Sequence, residues 1–172
     1  MTEHDDVLRY LIDRQEILDC IHRYCRGLDR HDDELLASVF HPDAVDNHGP
    51  WVGEREEFVR WANHECHEGL LAHQHHVTTH NCEIDGDVAH TETYVLFIHR
   101  RGDGRTVLCG GGRYLDRLER RHGEWRIARR RVVMDLSATV DGSGFGAFAG
   151  YPGGRWDRAD LSYERPLEIE RA

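Results

Sequence analysis

Aspartate and histidine are the residue types in this sequence best suited to moving protons near neutral pH. Asp29 follows the apolar stripe of an N-terminal segment, where the chain turns toward whatever that stripe covers. It is either a helix-end carboxylate in water or a buried carboxylate with a functional role. Tyr24 lies five residues earlier, near the same stripe. Its hydroxyl would either point into the same region or lie at the rim of an ordinary core ring.

Histidines are concentrated just before the middle of the chain, where six fall within 17 residues: His64, His67, His73, His75, His76 and His80. His73 and His75 would share one face of a strand, as in a metal-binding pair. No carboxylate follows within a few residues, however, and Glu83 lies beyond the reach of the pair. A neutral imidazole facing a pocket suits proton removal better, because its ordinary pKa is near neutrality. We therefore expect no bound metal.

An arginine-rich segment from Trp125 to Asp135 is the third candidate. In a regularly alternating strand, one face would carry Trp125, Ile127, Arg129, Arg131 and Val133. Arginines on a covered face need carboxylate partners or an anionic ligand, since an unpaired buried charge is costly. A solvent-exposed strand and a salt-bridged subunit interface are the alternatives.

The elements that would position these residues follow from a change of periodicity along the chain. Apolar residues spaced by three and four predict helices at 5–28, 34–40 and 54–71, and Ala44 to His48 could be a short strand. From His75 the period becomes two, which predicts antiparallel strands at 75–84, 88–100, 105–120 and 124–136. Helices followed by strands indicate an α+β architecture.

Composition limits the classes of function. A chain of 172 residues fits one domain, and its net charge of −10 disfavours a nucleic-acid partner. No apolar run is long enough to cross a membrane, and the acidic N-terminus does not resemble a secretory signal. Five scattered cysteines fit a reducing compartment, so we expect a cytoplasmic protein. All 22 Lys and Arg residues are arginine, which excludes Schiff-base chemistry through a lysine.

The three candidates occur in an order that resembles a known family. Residues 12–17 and 23–29, then His75 ahead of residues 84–89, then residues 123–127 and the arginines resemble the SnoaL-like group of the nuclear transport factor 2-like superfamily. The resemblance covers about residues 5–136. Its functional parallels are bile-acid 7α-dehydratase, lindane dehydrochlorinase and scytalone dehydratase, which are lyases without cofactors and are commonly trimers.

This resemblance implies a cone-like α+β barrel, in which a curved antiparallel sheet and N-terminal helices cover a pocket. The barrel domain would span residues 1–136. Residues 137–172, rich in glycine and aromatic residues such as Phe148, would form a tail that packs on the barrel or on a neighbouring subunit. We also expect a homo-oligomer, with a trimer favoured over a dimer, and no nucleic-acid or membrane partner.

The resemblance also implies roles for individual residues. Asp29 and His75 match a catalytic Asp–His dyad, and Tyr24 matches a pocket tyrosine. Arg129 matches a pocket arginine that binds substrate, with Arg131 on the same face. The chain has Thr79 where many relatives have asparagine. The adjacent His76 leaves the histidine assignment open by one place, because neighbouring strand residues face opposite ways.

A dyad of this kind suits a dehydratase that needs no cofactor. The imidazole would remove a proton next to a carbonyl of a hydrophobic cyclic or steroid-like molecule, and the aspartate would fix its tautomer. An isomerase or polyketide-type cyclase would begin with the same proton removal. A non-catalytic small-molecule-binding protein on the same fold is the third alternative.

Overall fold

Helices precede strands in the structure, a computed structural model that describes residues 3–146 and 150–169. Its elements are α1 (Glu3–Asp29), α2 (Asp33–Ser38), β1 (Phe40–His48), β2 (Trp51–Glu54), α3 (Arg55–Arg60) with a π-helical turn (Trp61–Cys66), β3 (Leu70–Asp85), β4 (Val88–Arg101), β5 (Thr106–Arg121) and β6 (Glu124–Asp141). A short 3₁₀ turn follows at Leu161–Tyr163. No helix in the described ranges combines the length and apolar content that a membrane crossing requires.

The six strands form one curved sheet in the order β2-β1-β6-β5-β4-β3. Strands β3 to β6 make the predicted antiparallel meander, and β1 joins its far side by pairing parallel to β6. The sheet is not closed, because β2 and β3 remain as its two edges. The α+β class, with a curved sheet and N-terminal helices, is thereby confirmed.

Helix α1 lies across the sheet with one apolar stripe buried. The stripe recurs at three and four residues, as a helix with one covered face requires, and comprises Ile17, Ile21, Tyr24 and Leu28. Near its end, α1 approaches α2 so closely that a Cβ on Gly27 would lie 2.9 Å from the backbone of Leu36. The Asp32 side chain then caps α2 by accepting a hydrogen bond from the Leu35 amide. These constraints hold Asp29 at the helix end, against β3.

The third helix is shorter than the sequence predicts. It leaves α-helical geometry after Arg60, ends its π-helical turn at Cys66, and the chain reverses at Gly69. The φ of Gly69 is +75°, a conformation that glycine adopts without strain. Strand β3 therefore begins at Leu70, five residues before His75. At the other end, β6 continues to Asp141, past the predicted limit of residue 136.

A β-bulge interrupts the alternation of β6. The register between β5 and β6 shifts between Arg117 and Leu118, where Arg117 pairs with Arg129 and Leu118 pairs with Ile127. The extra residue, Ala128, reverses the faces of the residues that follow, up to a second register shift at Asp135. The prediction of one unbroken face through Arg129 and Arg131 is therefore wrong, and it is Arg130 that is buried.

Strand β5 carries three consecutive glycines opposite the bulged strand. A Cβ on Gly110 would lie only 2.7 Å from the Phe97 ring of β4 and 2.9 Å from the carbonyl oxygen of Leu136. The lack of a side chain on Gly110 therefore leaves room for the Phe97 ring against β5.

The C-terminal segment packs against the turn between α1 and α2. The indole of Trp156 stacks on His31 with ring centroids 4.1 Å apart. Arg30 pairs with Asp160 at 2.9 Å. The Tyr163 hydroxyl donates to Asp32 at 2.8 Å. Of the predicted tail, residues 147–149, which include Phe148, and residues 170–172 lie outside the described residues, as do residues 1–2 of the predicted domain.

Candidate active site

A cavity of about 360 Å³ lies between the helices and the sheet. Aromatic and aliphatic side chains make up most of its lining, among them Tyr24, Leu28, Phe58, Trp61, Val95, Phe97, Leu108, Tyr114, Val132 and Met134. Polar groups enter it at a few points, chiefly as the imidazoles of His48, His67, His75 and His99. A largely apolar hollow with a few converging polar groups is typical of a small-molecule site.

Asp29 and His75 are in contact at one end of this cavity. The Oδ1 atom of Asp29 lies 2.8 Å from Nδ1 of His75, and Oδ2 accepts the His75 backbone amide at 3.0 Å. The His75 side chain is only 9% exposed and lines the cavity. Its neighbour His76 is exposed. The one-place ambiguity between the two histidines is resolved geometrically in favour of His75.

The Asp29 carboxylate fixes the tautomer of His75. Because an ionised carboxylate only accepts hydrogen bonds, Nδ1 of His75 carries the proton and Nε2 keeps its lone pair. Burial alone would raise the pKa of Asp29, but the hydrogen bonds from His75 and the nearby His73 imidazole outweigh it and hold that pKa well below its ordinary value. The carboxylate is therefore ionised throughout the neutral range and stabilises an imidazolium beside it.

Tyr24 reaches the same cavity from α1. Its hydroxyl is buried and has no hydrogen-bond partner among the described residues. Burial raises the pKa of Tyr24 well above 10, which keeps the hydroxyl protonated. A buried hydroxyl without a partner is rare in folded proteins and costs stability. It is available as a donor to an oxygen atom of a bound molecule.

Arg130 packs against the ring of this tyrosine. Sequence reasoning missed its role, because the bulge at Ala128 has no recognisable signal in the sequence. Its guanidinium makes two 2.7 Å bonds to Asp116. It also lies 3.9 Å from the ring centroid of Tyr24 and 4.2 Å from that of Tyr114. Both tyrosines line the cavity, whereas Arg130 does not.

The two arginines that the sequence predicted as substrate-binding lie elsewhere. Arg129 and Arg131 line a groove on the other face of the sheet, beside Val52 and Arg117. Arg129 is exposed and donates to the backbone oxygen of Asp43 at 3.0 Å. Neither side chain reaches the cavity that His75 and Tyr24 line, because the bulge turns both outward.

A cluster of five imidazoles surrounds the dyad; we call it the histidine cluster, formed by His31, His67, His73, His75 and His99. His73 Nε2 lies 2.9 Å from His31 Nε2, and His73 Nδ1 lies 3.4 Å from Asp29 Oδ1. Burial and the neighbouring imidazoles lower the pKa of His67 to about 2 and that of His99 to about 3. These two imidazoles are therefore uncharged at neutral pH, the form that binds metal ions.

His67 and His99 were not singled out as pocket residues in the sequence. His67 follows the π-helical turn, and His99 pairs with His73 across β3 and β4. The hairpin turn at Gly86 sets this pairing, so counting back from the turn would have placed His99 near His73. Nothing comparable in the sequence indicates that His67 folds back onto β3.

The arrangement can transfer a proton and stabilise the charge that results. His75 Nε2 is an acceptor, Asp29 stabilises the imidazolium, and the Tyr24 hydroxyl can donate to a developing oxyanion. The apolar lining excludes water and strengthens these interactions.

A family model described as the SnoaL-like domain matches residues 9–131. No curated protein matches the chain. Among solved structures, a variant of Rv3472 from Mycobacterium tuberculosis, described as a protein of unknown function, shares 30% identity over 75% of this chain and 75% of its own, with a TM-score of 0.66.

Two other structures share the fold at lower identity. A hexachlorocyclohexane dehydrochlorinase, LinA type 2, is 22% identical over 84% of this chain and 99% of its own, with a TM-score of 0.75. A protein from Novosphingobium aromaticivorans, whose name presumes it to be a scytalone dehydratase, is 21% identical over 85% of this chain and 96% of its own, with a TM-score of 0.69. The family model covers well over half of the residues. The chain therefore belongs to the SnoaL-like domain family of the nuclear transport factor 2-like superfamily.

Proposed function

We propose that the protein is a cofactor-independent lyase of the dehydratase type, acting on a hydrophobic cyclic or steroid-like carbonyl compound. The observation that carries the proposal is the 2.8 Å contact between Asp29 and His75 at the wall of an apolar cavity. The fold shared with structures named as a dehydrochlorinase and as a presumed scytalone dehydratase supports the same class of chemistry.

In this proposal the reaction begins when His75 Nε2 removes the proton next to the carbonyl. The electron pair of the broken C–H bond forms an enolate, whose oxygen receives a hydrogen bond from Tyr24. The enolate then collapses, a carbon–carbon double bond forms, and the bond to the β-hydroxyl group breaks. The departing oxygen takes the proton back from His75 and leaves as water.

The test uses two compounds with the same ring skeleton, a cyclic β-hydroxyketone and the ketone that lacks the hydroxyl. The wild-type protein should convert the first to a conjugated enone, which is followed by ultraviolet absorbance. It should exchange the α-hydrogen of the second for deuterium in D₂O, which is followed by mass spectrometry. His75→Gln and Asp29→Asn should lower both rates by about 10²-fold or more, the range of general acid–base catalysis.

The matched control is His76→Gln, which alters the adjacent exposed imidazole and should leave both rates unchanged. Wild-type rates in His75→Gln would contradict the mechanism. Exchange without dehydration would replace the dehydratase by an isomerase or cyclase that shares the first step. Binding of the ketones without exchange or dehydration would indicate a non-catalytic binding protein.

The trimer, the cytoplasmic location and the absence of nucleic-acid partners remain predictions from the sequence. Light scattering of the purified protein during size-exclusion chromatography would test the oligomeric state directly. A mass of one chain, 20.0 kDa, would contradict the expected homo-oligomer.

A further inference from the structure

Three imidazoles of the histidine cluster converge on the cavity from separate elements. His67 follows the π-helical turn, His75 lies on β3 and His99 lies on β4. All three line the cavity, and one ligand atom of each lies within 4.8 Å of the others. Because its ligands come from three separate elements, a metal site of this kind is not indicated by the spacing of histidines within one strand.

The separations of the rings fit binding to one central ion. Their centroids are 5.3 Å apart for His67 and His99, 5.7 Å for His75 and His99, and 6.1 Å for His67 and His75. The ring planes cross at 63° to 89°. Three imidazoles bound to a tetrahedral ion through nitrogens at about 2.0–2.1 Å would place their centroids about 5 Å apart. A modest movement of the three rings toward one another would bring them to this separation, an arrangement of His67, His75 and His99 that we call the tripod.

A different triplet of the cluster fits less well. His67 and His73 stack face to face, with centroids 4.0 Å apart and planes at 22°. Stacked rings direct their nitrogens side by side rather than toward one point. The set His31, His67 and His73 therefore lacks the tripod geometry, although its ligand atoms are also close together.

Two of the three imidazoles carry a buried ring nitrogen that the described residues leave unsatisfied. His67 Nδ1 and His99 Nε2 are buried without a hydrogen-bond partner among the described residues. Buried polar atoms without a partner are uncommon and often mark an ion or water site. Asp29 holds Nδ1 of His75, which leaves Nε2 free. A carboxylate behind a histidine is the arrangement that orients histidine ligands in metal sites.

We propose that His67, His75 and His99 bind one divalent transition-metal ion of the Zn²⁺ class, with a fourth position open to the cavity. Three imidazoles favour this class over Mg²⁺ or Ca²⁺, which prefer oxygen ligands. Where the proposed lyase function also holds, the ion withdraws the lone pair of His75 Nε2 from proton transfer and so inhibits the reaction. This second consequence rests on the proposed function, whereas the binding of the ion does not.

Binding is tested first, without any substrate. Isothermal titration of the purified metal-free protein with Zn²⁺ should show one tight site per chain, and Mg²⁺ should not compete. Co²⁺ in its place should give the intense visible absorption of tetrahedral coordination. His67→Gln and His99→Gln should each weaken Zn²⁺ binding by more than about 100-fold, and Asp29→Asn by about 10–100-fold, as expected for the loss of an outer carboxylate.

Controls separate this site from the other histidines. His76→Gln and His64→Gln change exposed imidazoles near the cluster and should leave the tight site intact. X-ray absorption of the Zn²⁺-loaded wild-type protein should show imidazole ligands without sulfur, which keeps the test valid if a variant fails to fold. Equal affinity in His67→Gln and wild type would overturn the proposal, as would a sulfur ligand, which would indicate Cys66.

The kinetic arm distinguishes this proposal from the proposed function. Zn²⁺ should inhibit turnover of the hydroxyketone reversibly, and a chelator should restore it. Tight Zn²⁺ binding in a protein without lyase activity would uphold the metal site and refute the lyase. Turnover in a protein that binds no Zn²⁺ would do the reverse. Activation by Zn²⁺ would overturn the inhibitory consequence.

Discussion

The two ring nitrogens of His75 face different surroundings, and this asymmetry underlies both proposals. Nδ1 is held by Asp29 on the protein side, while the ring lines an apolar cavity. The neighbouring His76 has the same chemistry but is exposed, without a carboxylate that fixes its tautomer among the described contacts. The position of one residue along β3 thus separates a candidate catalytic base from a surface histidine.

Tyr24 offers a test at the scale of a single atom. In Tyr24→Phe the buried hydroxyl without a partner is removed, so the free energy of unfolding should stay the same or rise by about 1 kcal/mol. The turnover number should fall by about 10²-fold, because one donor to the developing oxyanion is lost. Urea unfolding and hydroxyketone turnover on the same preparation measure the two effects. A variant that loses both stability and activity would contradict this account.

At the scale of elements, β6 shows why two adjacent arginines differ. The bulge turns Arg130 inward, where it is fully buried against Asp116, and turns Arg129 outward. Arg130→Met would leave the Asp116 carboxylate buried without its partner and should lower the free energy of unfolding by about 3–5 kcal/mol. Arg129→Met, the matched control on the same strand, should change it by less than about 0.5 kcal/mol.

Urea unfolding followed by tryptophan fluorescence compares these variants. Removing both members of the buried pair in Arg130→Met/Asp116→Leu should recover much of the lost stability, since no isolated charge remains. A larger loss of stability in Arg129→Met than in Arg130→Met would indicate that the strand alternates without a bulge.

The same strand shows how far sequence alone could reach. The period of two correctly predicted β6 and a shared face for Trp125 and Ile127, both of which are buried, because alternation follows from strand geometry. One extra residue, Ala128, has no recognisable signature and reversed the faces of Arg129 and Arg131. For the dyad, family motifs predicted residues 46 positions apart to be in contact, and they are. His67 joins the histidine cluster because the chain reverses at Gly69 and brings it back against β3. No local sequence pattern predicts that tertiary contact.

At the scale of the whole molecule, the burial of Tyr24 and Tyr114 against Arg130 should make the free energy of unfolding fall at alkaline pH. Burial raises the pKa of both tyrosines well above 10. In the unfolded chain these phenols would ionise near pH 10, so above that pH the unfolded state binds fewer protons than the folded state. Their contribution to stability is complete below pH 10 and is lost as the pH rises further.

The expected loss is about 1.4 kcal/mol per pH unit for each of the two phenols. Urea unfolding at a series of alkaline pH values measures the slope, and tyrosinate absorbance counts how many of the six tyrosines ionise before unfolding. Tyr24→Phe should lower the slope by about 1.4 kcal/mol per pH unit. Ionisation of all six in the folded protein would contradict the burial of this pair.

The absence of a side chain on Gly110 allows the size selectivity of the cavity to be altered by a single substitution. Because the Phe97 ring and the carbonyl oxygen of Leu136 both occupy the space that a methyl group on residue 110 would need, Gly110→Ala must displace the ring, the β6 backbone or both, and so alter the part of the cavity that Phe97 lines. The variant should discriminate by molecular bulk, keeping turnover of single-ring ketones while excluding fused-ring ones, with its proton-transfer groups unaltered. The kcat/KM values of wild type and variant on a homologous series of one- to four-ring ketones would measure this selectivity. An unchanged preference across the series would show that Phe97 does not limit entry.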